Sequence, residues 1–141
     1  MSQPTYDDVN LILRLYEQRR EPRMREAREW FTANFKNIKT IEEMNKLAPP
    51  GSGMNASMRM VVTYWEMVAS FVNAGVLNAE LFFQSGYEMA LVYERIKVLV
   101  PQLRETFGNP KMWINLETAS KKLAAWMGEA EYAAFSKRVN G

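Results

Sequence analysis

Met58-Arg59-Met60-Val61-Val62-Thr63-Tyr64-Trp65-Glu66-Met67-Val68-Ala69-Ser70-Phe71-Val72 is apolar on nearly every face of a 3.6-residue repeat. A helix of that kind cannot lie on a surface. It marks a central, buried element against which the rest of the chain must pack. The spacing predicts a helix over about 55–74, capped by Asn55 or Ser57. Gly75 suits the left-handed position after its last turn. Asn78 then caps the next helix, and Glu80 sits in the first turn, where the macrodipole favours an anion. So tight a turn makes the helices over about 55–74 and 78–100 a central antiparallel hairpin.

Working outward, the periodicity stays helical. Val9, Ile12, Leu13 and Tyr16 recur at spacings of three and four, after a capping-box pair at Thr5 and Asp8. Pro22 opens a second helix carrying Met24, Ala27, Trp30, Phe31 and Phe35. Thr40 and Glu43 frame a short helix through Leu47, which Pro49-Pro50-Gly51-Ser52-Gly53 ends. Beyond the hairpin, Pro101 kinks or restarts the helix and Gly108 closes it. Asn109-Pro110 opens a long helix with Trp113, Leu116, Ala119, Leu123 and Trp126, and Glu129–Arg138 forms a short terminal one. No strand pattern, internal repeat or low-complexity tract is present. The expectation is an all-α fold: one domain over residues 1–141, a bundle of six to seven helices.

Composition narrows the chemistry. The 141 residues are 48% hydrophobic and 24% charged, a balance that supports one packed core. Histidine and cysteine are absent. Ser-His-Asp and Cys-His nucleophile systems therefore cannot be built from this chain, nor can structural zinc or thiolate iron–sulfur sites. No catalytic residue, metal site or cofactor is expected. Eighteen basic residues nearly cancel sixteen acidic ones, evenly along the chain, so no basic stripe favours nucleic acid. The opening residues lack the features of a signal peptide, and no apolar run reaches the ~20 residues of a membrane span. A soluble protein with no membrane span is expected, cytoplasmic in a bacterial cell.

Two polar constellations stand out. Glu66 lies within the most apolar helix, and a buried carboxylate needs a proton or a partner. Folding the chain about position 76–77 sets Glu66 opposite Tyr87 and Glu88, and Arg59 near Glu94. The functional version is a Glu66–Glu88 pair sharing a proton or a hard cation. The structural version, which carries more weight, has Glu66 hydrogen-bonded to a Tyr or Trp, with an Arg59–Glu94 ion pair. The segment Arg19–Arg28 is half arginine, but interspersed glutamates and Pro22 break it as a stripe. The aromatic neighbours Trp30-Phe31 and Phe82-Phe83 lie about 100° apart on a helix, so both members of a pair cannot point fully inward. Trp30, Phe31 and Phe83 are therefore the candidate contacts for a partner.

The stretch from Tyr64 to Trp126 resembles a family of small bacterial helical proteins classed as a domain of unknown function. The resemblance rests on Trp65-Glu66, on Gly75-Val76-Leu77-Asn78-Ala79-Glu80-Leu81-Phe82 and on Tyr93-Glu94-Arg95-Ile96. Leu103-Arg104, Asn109-Pro110, Trp113 and Asn115-Leu116-Glu117 complete it. It implies an all-helical fold and no known reaction. Such families often carry an N-terminal membrane anchor, and no such segment is read here.

These readings together predict a non-enzymatic interaction module, acting as a homo-oligomer or with a protein partner. The first alternative is a binder of a small apolar ligand, in a cavity between the helices over 55–74, 78–100 and 109–127. Tyr64, Glu66, Tyr87 and Trp113 would supply its polar fixtures. The second is a nucleic-acid-associated regulator using Arg19–Arg28.

Overall fold

The computed structural model describes residues 3–141, which form nine α-helices and no strand. They are α1 (Tyr6–Arg19), α2 (Pro22–Asn34), α3 (Ile41–Leu47), α4 (Gly53–Asn73), α5 (Ala79–Phe83), α6 (Tyr87–Ile96), α7 (Val100–Phe107), α8 (Ile114–Met127) and α9 (Glu129–Asn140). The all-α expectation holds. The count of six to seven does not, because the helix expected over 78–100 is broken.

Its first break lies at Gln84–Gly86. A Cβ on Gly86 would stand 2.6 Å from the Phe82 ring, so only glycine lets the chain pass there. The break answers the problem of two adjacent aromatics. Once the helix stops after Phe83, both Phe82 and Phe83 turn inward and are buried. The second break precedes Pro101, which occupies the first turn of α7, where its missing N–H has no helical partner to lose. The central hairpin is thus α4 against two short helices rather than against one long one.

Local chemistry sets most helix starts. Thr5 and Asp8 form the capping box of α1, the Thr5 N–H donating to Asp8 Oδ2 at 2.7 Å. Glu21 caps α2, with Pro22 at its first position. Thr40 caps α3 and Asn78 caps α5. The α4 cap is Ser52, one turn earlier than Asn55 or Ser57. Gly108 takes φ +61 at the end of α7. Trp113, expected inside the last long helix, instead precedes α8 in the left-handed conformation, at φ +58.

α4 is the spine. Trp65, Val68 and Ala69 are fully buried on it, and it packs most extensively on α8 and α2. α6 lies against α8 and α9 and extends the same core through Met89, Val92 and Ile96. Removing each such side chain from water contributes roughly 1.5–3 kcal/mol.

The Gly86 constraint gives a test. Gly86→Ala is expected to destabilise the fold by about 1–3 kcal/mol, because the buried Phe82 ring cannot retreat. Gly53→Ala, which meets open space in the first turn of α4, is expected to be neutral or to stabilise by up to about 1 kcal/mol. Urea unfolding of the two variants beside wild type measures both.

Candidate functional site

Several polar side chains of the core serve helix ends, and others join helices to one another. α8 begins without a side-chain cap of its own, since Trp113 offers no acceptor. Glu66 reaches over from α4 and supplies one. Its Oε1 accepts the Leu116 N–H at 2.8 Å, and its Oε2 accepts the Asn115 amide side chain at 3.0 Å and the Asn115 N–H at 3.3 Å. A carboxylate there also faces the positive end of the α8 dipole. Asn73, near the end of α4, donates to Asn115 Oδ1 and to the Asn115 carbonyl, both at 3.1 Å.

Glu66 and Glu88 therefore do not form a pair. The break before α6 leaves Trp65, not Glu66, facing Glu88: the indole N–H donates to Glu88 Oε2 at 3.1 Å. Arg28 of α2 grips the same carboxylate in two-point fashion, Nε at 2.7 Å and Nη2 at 2.8 Å. Hydrogen bonding to Glu88 raises the Arg28 pKa above its ordinary value. The Arg28 Nη1 donates to the Arg19 carbonyl, and the Arg19 guanidinium lies 5.4 Å from the centre of the Trp65 ring. Tyr64 donates its hydroxyl to the Leu15 carbonyl, and burial pushes its pKa up. This cluster pins α1 and α2 to the spine. Tyr87 stays outside it, 40% exposed and with its ring centre 6.1 Å from that of Phe135.

The Arg59–Glu94 ion pair is also absent. The Arg59 Nε donates to Asn55 Oδ1 at 2.9 Å on its own helix. The Glu94 side chain, 2% exposed, is held from α9 instead. Tyr132 donates to Oε2 at 2.7 Å, while Ser136 at 2.6 Å, Lys97 at 2.8 Å and Asn140 at 3.0 Å donate to Oε1. Burial alone would raise the Glu94 pKa, but the donors from Lys97, Ser136 and Tyr132 outweigh it and hold the pKa below the ordinary glutamate value. The same bond and burial raise the pKa of the Tyr132 phenol, burial most.

Arg95, beside Glu94 and given no role by the sequence pattern, is buried and meets carbonyls only. Its Nε donates to Val139 at 2.7 Å, and its Nη1 to Phe35 at 3.0 Å and Thr32 at 3.1 Å. It closes the C-terminal ends of α2 and α9, where a cation complements the dipole. Burial lowers its pKa. Helical periodicity gave no signal for this, because the partners are carbonyls sixty residues upstream and at the far end of the chain.

The aromatic contacts expected on the surface are inside. Phe31 is 1% exposed and stacks on Phe35, with ring centres 4.9 Å apart. Phe83 is 4% exposed and packs on Trp126, and Trp30 is half-buried against the core. The exposed apolar side chains lie elsewhere. Tyr6, Val9, Leu13 and Tyr16 form a 3-4-3 stripe on α1, each more than 40% exposed. The sequence spacing was visible, but Leu15 and not this stripe is the buried anchor of α1.

A cavity of about 430 Å³ opens between α3, α4, the α6–α7 junction and the turn before α8. Met44, Val62, Leu99 and Trp113 are among its walls. Of the polar fixtures expected for a ligand, only Trp113 lines it. Tyr64, Glu66 and Tyr87 do not.

The family model described as a domain of unknown function, DUF4760, matches residues 4–123, and the chain belongs to that family. The match begins sixty residues before the stretch from which the resemblance was read. No curated protein and no solved structure matches the chain. No helix among the described residues is long and apolar enough to cross a membrane.

Two variants test the polar assignments. Glu66→Ala is expected to cost about 1–2 kcal/mol, the range of a lost N-cap, read by urea unfolding at neutral pH. Glu94→Gln is expected to cost about 1.5–3 kcal/mol at pH 7, since the charged acceptor is lost. The sign of the pH dependence follows from the lowered pKa. Stabilisation by Glu94 is complete above the unfolded value, roughly 4.3, and is lost as pH falls through the lower folded value. The gap between wild type and variant should therefore close in acid, and a gap that stays constant with pH would contradict the assignment.

Proposed function

We propose that this DUF4760 domain is a non-enzymatic association module that pairs with a second copy of itself through α1. One observation carries the reading: the stripe of Tyr6, Val9, Leu13 and Tyr16, each more than 40% exposed. Single exposed apolar residues are ordinary, but four aligned on one helix are not.

The stripe is symmetric about position 11. In an antiparallel pair, Tyr6 falls opposite Tyr16 of the second copy, and Val9 opposite Leu13. A two-fold contact needs that self-complementarity. Charge agrees with it. Asp7 lies in the first turn of α1 and Arg19 in the last, so antiparallel helices bring opposite ends together. The helix dipoles oppose as well.

Other features support a role without chemistry. Glu66, Glu88 and Glu94 are each engaged in holding helices. The arginines of the 19–28 segment diverge: Arg28 binds Glu88, Arg19 and Arg20 lie over Tyr16, and Arg23 donates to Ser57. A contact made by one helix is at the small end of protein interfaces, so assembly should depend on concentration.

Sedimentation over a range of micromolar concentrations tests this. Wild type should shift from monomer to dimer as concentration rises. A Val9→Glu, Leu13→Glu double variant should stay monomeric with unchanged helical circular dichroism. A wild type that remains monomeric throughout, or a double variant that still dimerises, would show the reading to be wrong.

A further inference from the structure

We infer that the cavity beside α4 is a binding site for a single-chain amphiphile with an anionic head group, such as a medium-chain carboxylate. The site is separate from the α1 stripe, and the inference stands without it.

The cavity volume, about 430 Å³, falls within the span of small-molecule sites, roughly 300–1,000 Å³. Its walls are almost wholly apolar. Phe35, Met58, Val62, Ile96, Leu99 and Leu103 carry the core surface into it. Water gains few hydrogen bonds from such walls, whereas a hydrocarbon chain removes their apolar area from water. Methionines on three sides, Met44, Met58 and Met112, give a lining that adapts to chains of differing shape.

The head-group preference comes from Arg59. Among the described lining residues it carries the only charge. Its Nε is engaged by Asn55 Oδ1 at 2.9 Å, and the Asn55 side-chain amide is itself fixed to the Ala48 carbonyl at 3.1 Å. That chain of bonds aims the guanidinium while leaving both Nη groups without a protein acceptor among the described residues. No carboxylate lines the cavity to neutralise it. A pre-aimed guanidinium beside apolar walls selects a planar anion, which it can hold at two points. Asn45 and Thr63 add further polar groups to the lining. A neutral hydrocarbon would leave the guanidinium unused, and a cationic amphiphile would be repelled by it.

The test is calorimetric titration of the full chain with sodium decanoate below its micellar range, and in parallel with decan-1-ol. Wild type should bind decanoate saturably at one site. Arg59→Gln alters an exposed side chain and should leave the fold intact. It should weaken decanoate binding about tenfold, the loss of a charge-assisted hydrogen bond, without changing the binding of decan-1-ol. Val62→Phe, which fills the cavity, should abolish both. Should that variant not fold, the Arg59→Gln comparison decides alone. Absence of saturable decanoate binding to wild type, or equal decanoate affinity in wild type and Arg59→Gln, would overturn the inference.

Discussion

The contact between the Glu66 carboxylate and the first peptide N–H groups of α8 fixes the two most extensively packed helices to each other. α4 buries Trp65, Val68 and Ala69 and carries the partly buried Glu66 carboxylate beside them, while α8 has no side-chain cap of its own. Each lacks what the other has. A carboxylate within an apolar helix is costly without donors, and unpaired N–H groups at a helix start are costly without an acceptor. Their meeting removes both costs and sets the register in which Ala119, Leu116 and Leu123 pack inward. The positions of α6 and α9 follow, since both lie against α8.

The same device recurs around the molecule. Asp8 caps its own helix and also accepts the Asn78 N–H at 2.8 Å, so α1 and the start of α5 share one carboxylate. Hydrogen bonds from the Thr5 and Asn78 backbones lower its pKa. Arg95 does for carbonyl ends what Glu66 does for an N–H end. The nine helices of the described residues generate many unsatisfied termini. Charged side chains from distant helices meet several of them.

Helical periodicity and capping residues made the fold class and most helix starts legible. Thr5, Pro22, Thr40 and Asn78 each did what their chemistry predicts. The break at Gly86 was not legible, because glycine there answers a close approach by Phe82 that only the folded chain creates. That one break shifts the register of the hairpin. It turned Trp65 toward Glu88 and left Glu66 for α8. Phe83 turns inward because α5 ends at it, whereas Phe31 lies within the unbroken α2 and takes the inward place of its pair, leaving Trp30 half-buried. The cavity opens beside α3 and the α6–α7 junction, away from Tyr64, Glu66 and Tyr87, and Arg59 lines it instead of pairing with Glu94.

Adjacent residues of α6 carry opposite charges, and both bond to α9, Arg95 also to the Thr32 and Phe35 carbonyls within the family match. Glu94 is held by Tyr132, Ser136 and Asn140, and Arg95 by Val139. The match ends at residue 123, before α9 begins. A fragment cut to the matched residues would keep the spine, both capping carboxylates and the cavity. It would also strip a buried anion of three donors and a buried cation of an acceptor, side by side on one helix. The boundary drawn by family membership and the boundary of the cooperative folding unit are therefore different lines. Anyone expressing this domain as an isolated piece has to place the cut by the second.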